Sequence, residues 1–155
     1  MSKRLVVFGY GNPARGDDAL GPLLLARLEA APPPPGLTLT LVEDFQLQIE
    51  HALDLDGADL ALFLDAGTGT PAPFLFSEIA ASGQLGHSHT SHALSPQAVL
   101  DVFITIRHRP PPPAFLLCPR GARFELGEPL SPEGEHNLDQ AWNFLQGWLQ
   151  EMGGR

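Results

Sequence analysis

An α/β fold, a single-domain three-layer sandwich with a twisted, mostly parallel sheet of about five strands flanked by helices, is what this sequence predicts. Short, wholly apolar runs at residues 5–8 and 60–64 have the character of parallel strands buried on both faces. Between such runs apolar residues recur at helical spacing, and strands alternating with helices favour parallel pairing. The 155 residues are enough for one domain, spanning residues 1–155, with a sizeable core.

The first strand, residues 5–8, stops at the glycines of Gly9-Tyr10-Gly11. From Asp17 the period changes to that of a helix, with Leu20, Leu23, Leu24 and Leu28 forming one stripe. Pro22 falls in its first turn, where a missing N–H costs little, and the prolines at 32–35 end it. Residues 37–42 alternate leucine with threonine as a second strand, and residues 46–55 read as a short helix. Residues 60–64 form the third strand, ending abruptly at Asp65. Residues 74–79 include Ser77 and Glu78, which suits an edge strand. Residues 83–91 are a polar Gly/Ser/His loop. Ser95 then caps a helix that opens at Pro96 and carries Val99, Leu100, Phe103 and Ile104. A proline run at 110–113 leads into a strand at 115–118. A last helix, from about 134 to 152, has Leu138, Trp142, Leu145 and Leu149 on one side. No internal repeat is visible, and the proline runs are stiff connectors too short to link domains.

Nine basic against eighteen acidic side chains give a formal net charge of −9. Such a surface repels phosphate backbones and anionic lipid, so neither nucleic acid nor membrane is an expected partner. Cys118 is the single cysteine, which excludes an intramolecular disulfide and a Cys-rich metal site. Its apolar surroundings mark a buried strand residue and not an activated thiol. The apolar stretch after Lys3 and Arg4 is too short for a signal-peptide core, and no run reaches membrane-spanning length. The expected location is the cytoplasm.

In open parallel sheets, ligands bind outside the carboxyl ends of the strands. Three acidic clusters map there: Asp17 and Asp18 after the first strand, Glu43 and Asp44 after the second, and Asp65 at the end of the third. Each also has a local explanation. Asp17 is placed to cap a helix, Asp18 to complement its dipole, and Asp65 to cap the next turn. Asp65 is the hardest to dismiss, because a carboxylate ending a buried strand must meet water, a cation or a donor. The loop His87-Ser88-His89-Thr90-Ser91-His92 offers imidazoles, common ligands of divalent transition metals, just before a helix. A solvated polar loop explains any one of them equally well. His51, His108 and His136 have no supporting context and read as surface or core residues.

The Gly9-Tyr10-Gly11-Asn12-Pro13 loop fits a dinucleotide fingerprint only loosely, since Gly16 falls two positions later than the third glycine should. Pro13 removes an amide, and two aspartates at the helix entrance would repel a pyrophosphate. A cation suits these residues better. No serine or cysteine lies in an elbow or triad context typical of a nucleophilic protease.

The segment Phe8-Gly9-Tyr10-Gly11-Asn12-Pro13-Ala14-Arg15-Gly16-Asp17-Asp18-Ala19-Leu20-Gly21 resembles the signature of the hydrogenase maturation endopeptidases. Asp65, in Leu64-Asp65-Ala66, resembles that family's aspartate at the end of a central strand. His92, in Ser91-His92-Ala93-Leu94-Ser95, resembles its histidine before a helix. The pattern runs over nearly the full chain. It implies an endopeptidase that removes the C-terminal extension of a nickel-loaded nickel-iron hydrogenase large-subunit precursor. It further implies that Asp18, Asp65 and His92 are both the catalytic set and the nickel contacts. The nickel would arrive in the substrate, with none tightly bound by the resting protein. Asp17 is then a cap or a group behind the ligands, and His87 and His89 have no assigned role. Water activated by the metal or by a carboxylate would attack the peptide bond. Where many relatives have an aspartate-glycine-glycine-threonine turn after the second strand, this chain has Glu43-Asp44-Phe45-Gln46.

Two other readings compete. One is an independent metal-dependent hydrolase, for which His87-x-His89-x-x-His92 gives a superficial motif, with Ser91 where an aspartate would stand. The other is a non-catalytic, nickel-dependent docking chaperone that uses the same three ligands for recognition alone. The hydrogenase served, the scissile bond, the catalytic or recognitive role of nickel and the oligomeric state are not encoded in any motif.

Overall fold

A computed structural model describes residues 2–83 and 94–155. Five strands, β1 (Lys3–Tyr10), β2 (Leu37–Asp44), β3 (Leu60–Leu64), β4 (Phe74–Ile79) and β5 (Ala114–Pro119), form one sheet in the order β2-β1-β3-β5-β4. β2, β1, β3 and β5 run parallel, and β4 closes the far edge antiparallel to β5. Helices α1 (Leu20–Ala30) and α3 (Pro132–Gly153) cover one face. Helix α2 (Pro96–Arg107) and a 3-10 helix at Ile49–Leu55 cover the other. The predicted three-layer α/β sandwich is therefore the observed architecture.

Period-two alternation sorts the strand residues between the two layers. Leu5, Val7, Leu62, Leu64 and Leu117 pack toward α1 and α3, while Val6, Phe8, Tyr10, Ala61 and Phe63 pack toward α2. β1 and β3 are apolar throughout their centres because both of their faces are covered. Leu5, Val7, Leu62 and Phe63 are fully buried; each such side chain contributes about 1.5–3 kcal/mol relative to exposure. Phe8 stacks on Phe63 with ring centroids 4.8 Å apart, tying the two central strands together under α2. On the other face Phe76, Phe115 and Trp148 meet at 5.2–5.8 Å, which seats the edge strand β4 against α3.

Ser95 and Ser131 cap α2 and α3 through bonds from the Ala98 and Gly134 amides, each followed by proline in the first turn. Two expected helices differ from the sequence reading. The segment after β2 is a 3-10 helix limited to Ile49–Leu55, and the chain from Gly16 to Ala19 is a 3-10 turn that precedes α1. That turn lets α1 start against the strand ends. A Cβ on Gly21 would lie 2.5 Å from the Leu64 carbonyl oxygen and 2.6 Å from that of Tyr10. Only glycine permits this approach, and it brings the N-terminus of α1 directly onto the carboxyl ends of β1 and β3.

No helix among the described residues is long and apolar enough to cross a membrane. His87, His89 and His92 lie outside the described residues.

Candidate active site

The carboxyl ends of the parallel strands carry the site. In register, β1 pairs Gly9 with Leu64 of β3 and Tyr10 with Asp44 of β2, while β3 pairs Leu64 with Leu117 of β5. One residue further along β3 and β5 come Asp65 and Cys118. Asp44, Tyr10, Asp65 and Cys118 thus form a row across four neighbouring strand ends, all at positions of the α2-facing parity.

Asp65 ends β3 as the sequence predicts. Its Oδ1 accepts a hydrogen bond from the Ala66 amide at 2.7 Å, and its own amide donates to the Leu117 carbonyl at 3.2 Å. Burial pushes its pKa up to about 6; the nearby charge of Asp18 adds to the rise, against the pull of the Ala66 amide and the Tyr10 hydroxyl. A carboxyl poised near neutrality can take or release a proton at working pH.

Asp18 lies in the 3-10 turn, half-buried, with Oδ2 accepting from the Asn12 amide at 2.7 Å. The loop before it is folded tightly: Gly11 has φ +145°, and a Cβ there would stand 2.1 Å from the Asp18 carbonyl oxygen. Gly11 and Asn12 thereby hold Asp18 at the same edge as Asp65, close enough for the two charges to act on each other. A cation between them would relieve that repulsion.

Asp17 points the other way. It is fully buried, and its carboxylate accepts from the Ala122 amide at 2.6 Å, the Arg123 amide at 3.2 Å, and the Ser131 amide and hydroxyl at 2.7 and 2.6 Å. Burial alone would raise its pKa; these donors outweigh that and hold it below the usual carboxylate range. Asp17 is not the cap of its own helix, since no side chain caps that turn. It fastens the turn bearing Asp18 to the segment between β5 and α3.

Three features of the edge escape the sequence reading. His51 is not an isolated residue: it is buried, its Nδ1 accepts from the Gln48 amide at 2.8 Å, and its Nε2 lies 3.3 Å from Asp44 Oδ2. The Tyr10 hydroxyl is buried and lacks a hydrogen-bond partner within ordinary limits among the described residues. Desolvation, then the Asp65 charge, push its pKa well above the ordinary tyrosine value. Cys118 is the buried strand residue predicted, but it adjoins Asp65; burial, and then that charge, push its thiol up to about 12. It stays a protonated thiol. Counting along the strands from the paired phenylalanines Phe8 and Phe63 would have placed Tyr10 beside Asp65.

Asp18 and Asp65 are the two sequence-predicted site residues that the structure describes, and it brings them together. Among the described residues no group of three His, Cys, Asp or Glu side chains is placed to hold a metal ion. Leu94 is buried in the α2-side core, and its amide donates to the Leu47 carbonyl at 3.2 Å.

No protein-family profile and no curated protein matches the sequence. Solved structures do match in fold. The [NiFe] hydrogenase maturation protease HycI from Thermococcus kodakarensis is 21% identical, with a TM-score of 0.70 over 96% of this chain and 93% of that one. The hydrogenase maturating endopeptidase HybD from E. coli is 20% identical, with a TM-score of 0.72 over 97% and 94%. The hydrogenase 2 maturation peptidase from a Thaumarchaeota archaeon is 22% identical, with a TM-score of 0.65 over 95% and 98%. Over nearly its whole length, this chain has the fold of the hydrogenase maturation proteases.

Proposed function

We propose that this protein is an endopeptidase of nickel-iron hydrogenase maturation, removing the C-terminal extension of a nickel-loaded large-subunit precursor. The observation that carries this reading is the convergence of Asp18 and Asp65 at the carboxyl edge of a chain with this fold. The fold alone would leave the chemistry open. The two carboxylates supply the chemistry, because hard anionic oxygens at a strand edge attract a cation held by another molecule.

In this proposal Asp18, Asp65 and His92 contact nickel carried by the substrate. The metal is cargo of the precursor, and the resting protein binds none tightly. Hydrolysis adds water across one peptide bond: the water oxygen bonds to the carbonyl carbon, the C–N bond breaks, and a water proton ends on the departing amine. Asp17 holds the Asp18 turn in place and Gly21 holds α1 against the strand ends. Neither touches substrate.

The test is incubation of the purified protein with nickel-loaded and nickel-free precursor, with product mass as the readout. The expected result is one shortened large subunit from the loaded precursor alone. Binding without shortening would replace the endopeptidase by a docking chaperone that uses the same ligands.

A further inference from the structure

Tyr10 is the only tyrosine of the chain, and its hydroxyl has no part in the reading above. The register of β1 and β3, Phe8 with Phe63 and Gly9 with Leu64, brings it alongside Asp65 on the α2 side. Its ring belongs to the core there and is 8% exposed, so its direction is fixed by packing. The hydroxyl oxygen is shielded from solvent and has no partner within ordinary limits among the described residues. A buried donor in that state is costly to leave unpaired.

Its neighbour has the complementary need. Among the described residues, the Ala66 amide makes the one bond to the Asp65 carboxylate that meets ordinary limits, and it goes to Oδ1. Oδ2 is left to be oriented. On the far side of Asp65, Cys118 offers only a thiol, a weak donor. Among the described residues, the Tyr10 hydroxyl is the strong neutral donor at this position.

We propose that Tyr10 is a positioning residue, whose hydroxyl closes onto Oδ2 of Asp65 and fixes how that carboxylate is presented to the cation of the substrate. A carboxylate oxygen has two lone pairs, so a bond from Tyr10 leaves one for a metal. Hydrogen bonds behind metal-ligating carboxylates orient them, and removing such a bond typically costs about 10–100-fold in affinity or activity. Because the hydroxyl is shielded, Tyr10 acts through Asp65 and not on the peptide. This inference rests on the role given to Asp65 under the proposed function.

The test uses the full chain with its single tyrosine carrying 13C at the ring carbon bonded to oxygen, together with Tyr10→Phe, Asp65→Asn and Asp18→Asn. Tyr10→Phe keeps the ring and should unfold at nearly the wild-type temperature. Its kcat/KM on nickel-loaded precursor should fall about tenfold or more. The labelled carbon should shift in Asp65→Asn and hold its position in Asp18→Asn, a signature that loss of core packing would not produce. A label unmoved by Asp65→Asn, or a Tyr10→Phe protein that processes precursor at the wild-type rate, overturns the proposal. If the wild-type protein leaves nickel-loaded precursor uncut, the endopeptidase reading has failed, and the label alone decides whether Tyr10 holds Asp65.

Discussion

Asp17 and Ser131, 114 positions apart, are joined twice: the serine amide donates to Oδ1 at 2.7 Å and its hydroxyl donates to Oδ2 at 2.6 Å. The same hydroxyl accepts from the Gly134 amide at 2.9 Å as the N-cap of α3. One carboxylate thus ties the turn bearing Asp18 to the start of the longest helix.

Replacing Asp17 by alanine should be strongly destabilising. Two buried donors on Ser131 lose their acceptor, while the Ala122 and Arg123 amides are near enough to the surface to find water. A loss of about 3 kcal/mol is expected, or about 6–12 °C in Tm for a chain of this size. The pH dependence has a defined sign. The folded pKa of Asp17 lies below its unfolded value, so its contribution is complete above the unfolded pKa of about 4 and is lost as pH falls through the folded one. Thermal melts of wild type and Asp17→Ala should therefore converge in acid. Equal stability at pH 7 would show that the four bonds contribute nothing.

Asp65 has the opposite sign. Its folded pKa, about 6, lies above the ordinary aspartate value of about 4. The ionised carboxylate therefore costs stability above pH 6, and that cost disappears as pH falls from 6 toward 4. Asp65→Asn should be more stable than wild type at pH 8, by about 2 kcal/mol after discounting for partial exposure. At pH 4 it should be no more stable. Urea unfolding at the two pH values measures both. The same variant should lose nearly all processing, so stability and activity move in opposite directions at one residue. Normal processing by Asp65→Asn would remove the nickel-site assignment.

These two aspartates show what was legible in the sequence. Asp65 ends an unbroken apolar run, and β3 and β4 were readable with their observed bounds, Leu60–Leu64 and Phe74–Ile79. β1, β2 and β5 extend beyond their apolar runs to Tyr10, Asp44 and Pro119. Backbone pairing continues through glycine and acidic residues when a neighbouring strand is there to receive it, which side-chain pattern does not reveal. Asp17 had a plausible local role as a cap. Its partners lie 105 or more positions away, and only the tertiary fold brings them near. His51 has no context in the sequence pattern, because its contact with Asp44 depends on where a 3-10 helix begins.

Processing by the wild-type protein should weaken in mild acid. A cation must displace the proton that Asp65 holds below about pH 6, so kcat/KM should fall about tenfold per pH unit below that point. Since the charge of Asp18 helps to raise the Asp65 pKa, the residual activity of Asp18→Asn should show this limb at lower pH. A flat profile from pH 5 to 8 would mean that Asp65 is not the group being engaged.

Metal content tests the resting state. Asp18 and Asp65 present an incomplete, open donor set, suited to a metal already held by another molecule. Elemental analysis of protein purified without chelator should find nickel and zinc well below one per chain after dialysis. One retained ion per chain would instead favour an independent metal-dependent hydrolase.

The histidines divide most sharply between readings, because the resemblance selects one of three. His92→Ala should reduce processing as steeply as Asp65→Asn, since it removes a proposed nickel contact. His89→Ala, with no role in the proposed set, should change processing less than about threefold, within the range of a surface substitution that leaves stability nearly untouched. Both proteins should keep the wild-type circular dichroism spectrum and melting temperature, which separates loss of a ligand from loss of fold. The contrast also separates mechanisms. An independent hydrolase built on His87, His89 and His92 would lose activity with any of the three, and would release a bound metal as it did so. An essential His89 beside a dispensable His92 would show that the wrong histidine had been assigned to the nickel.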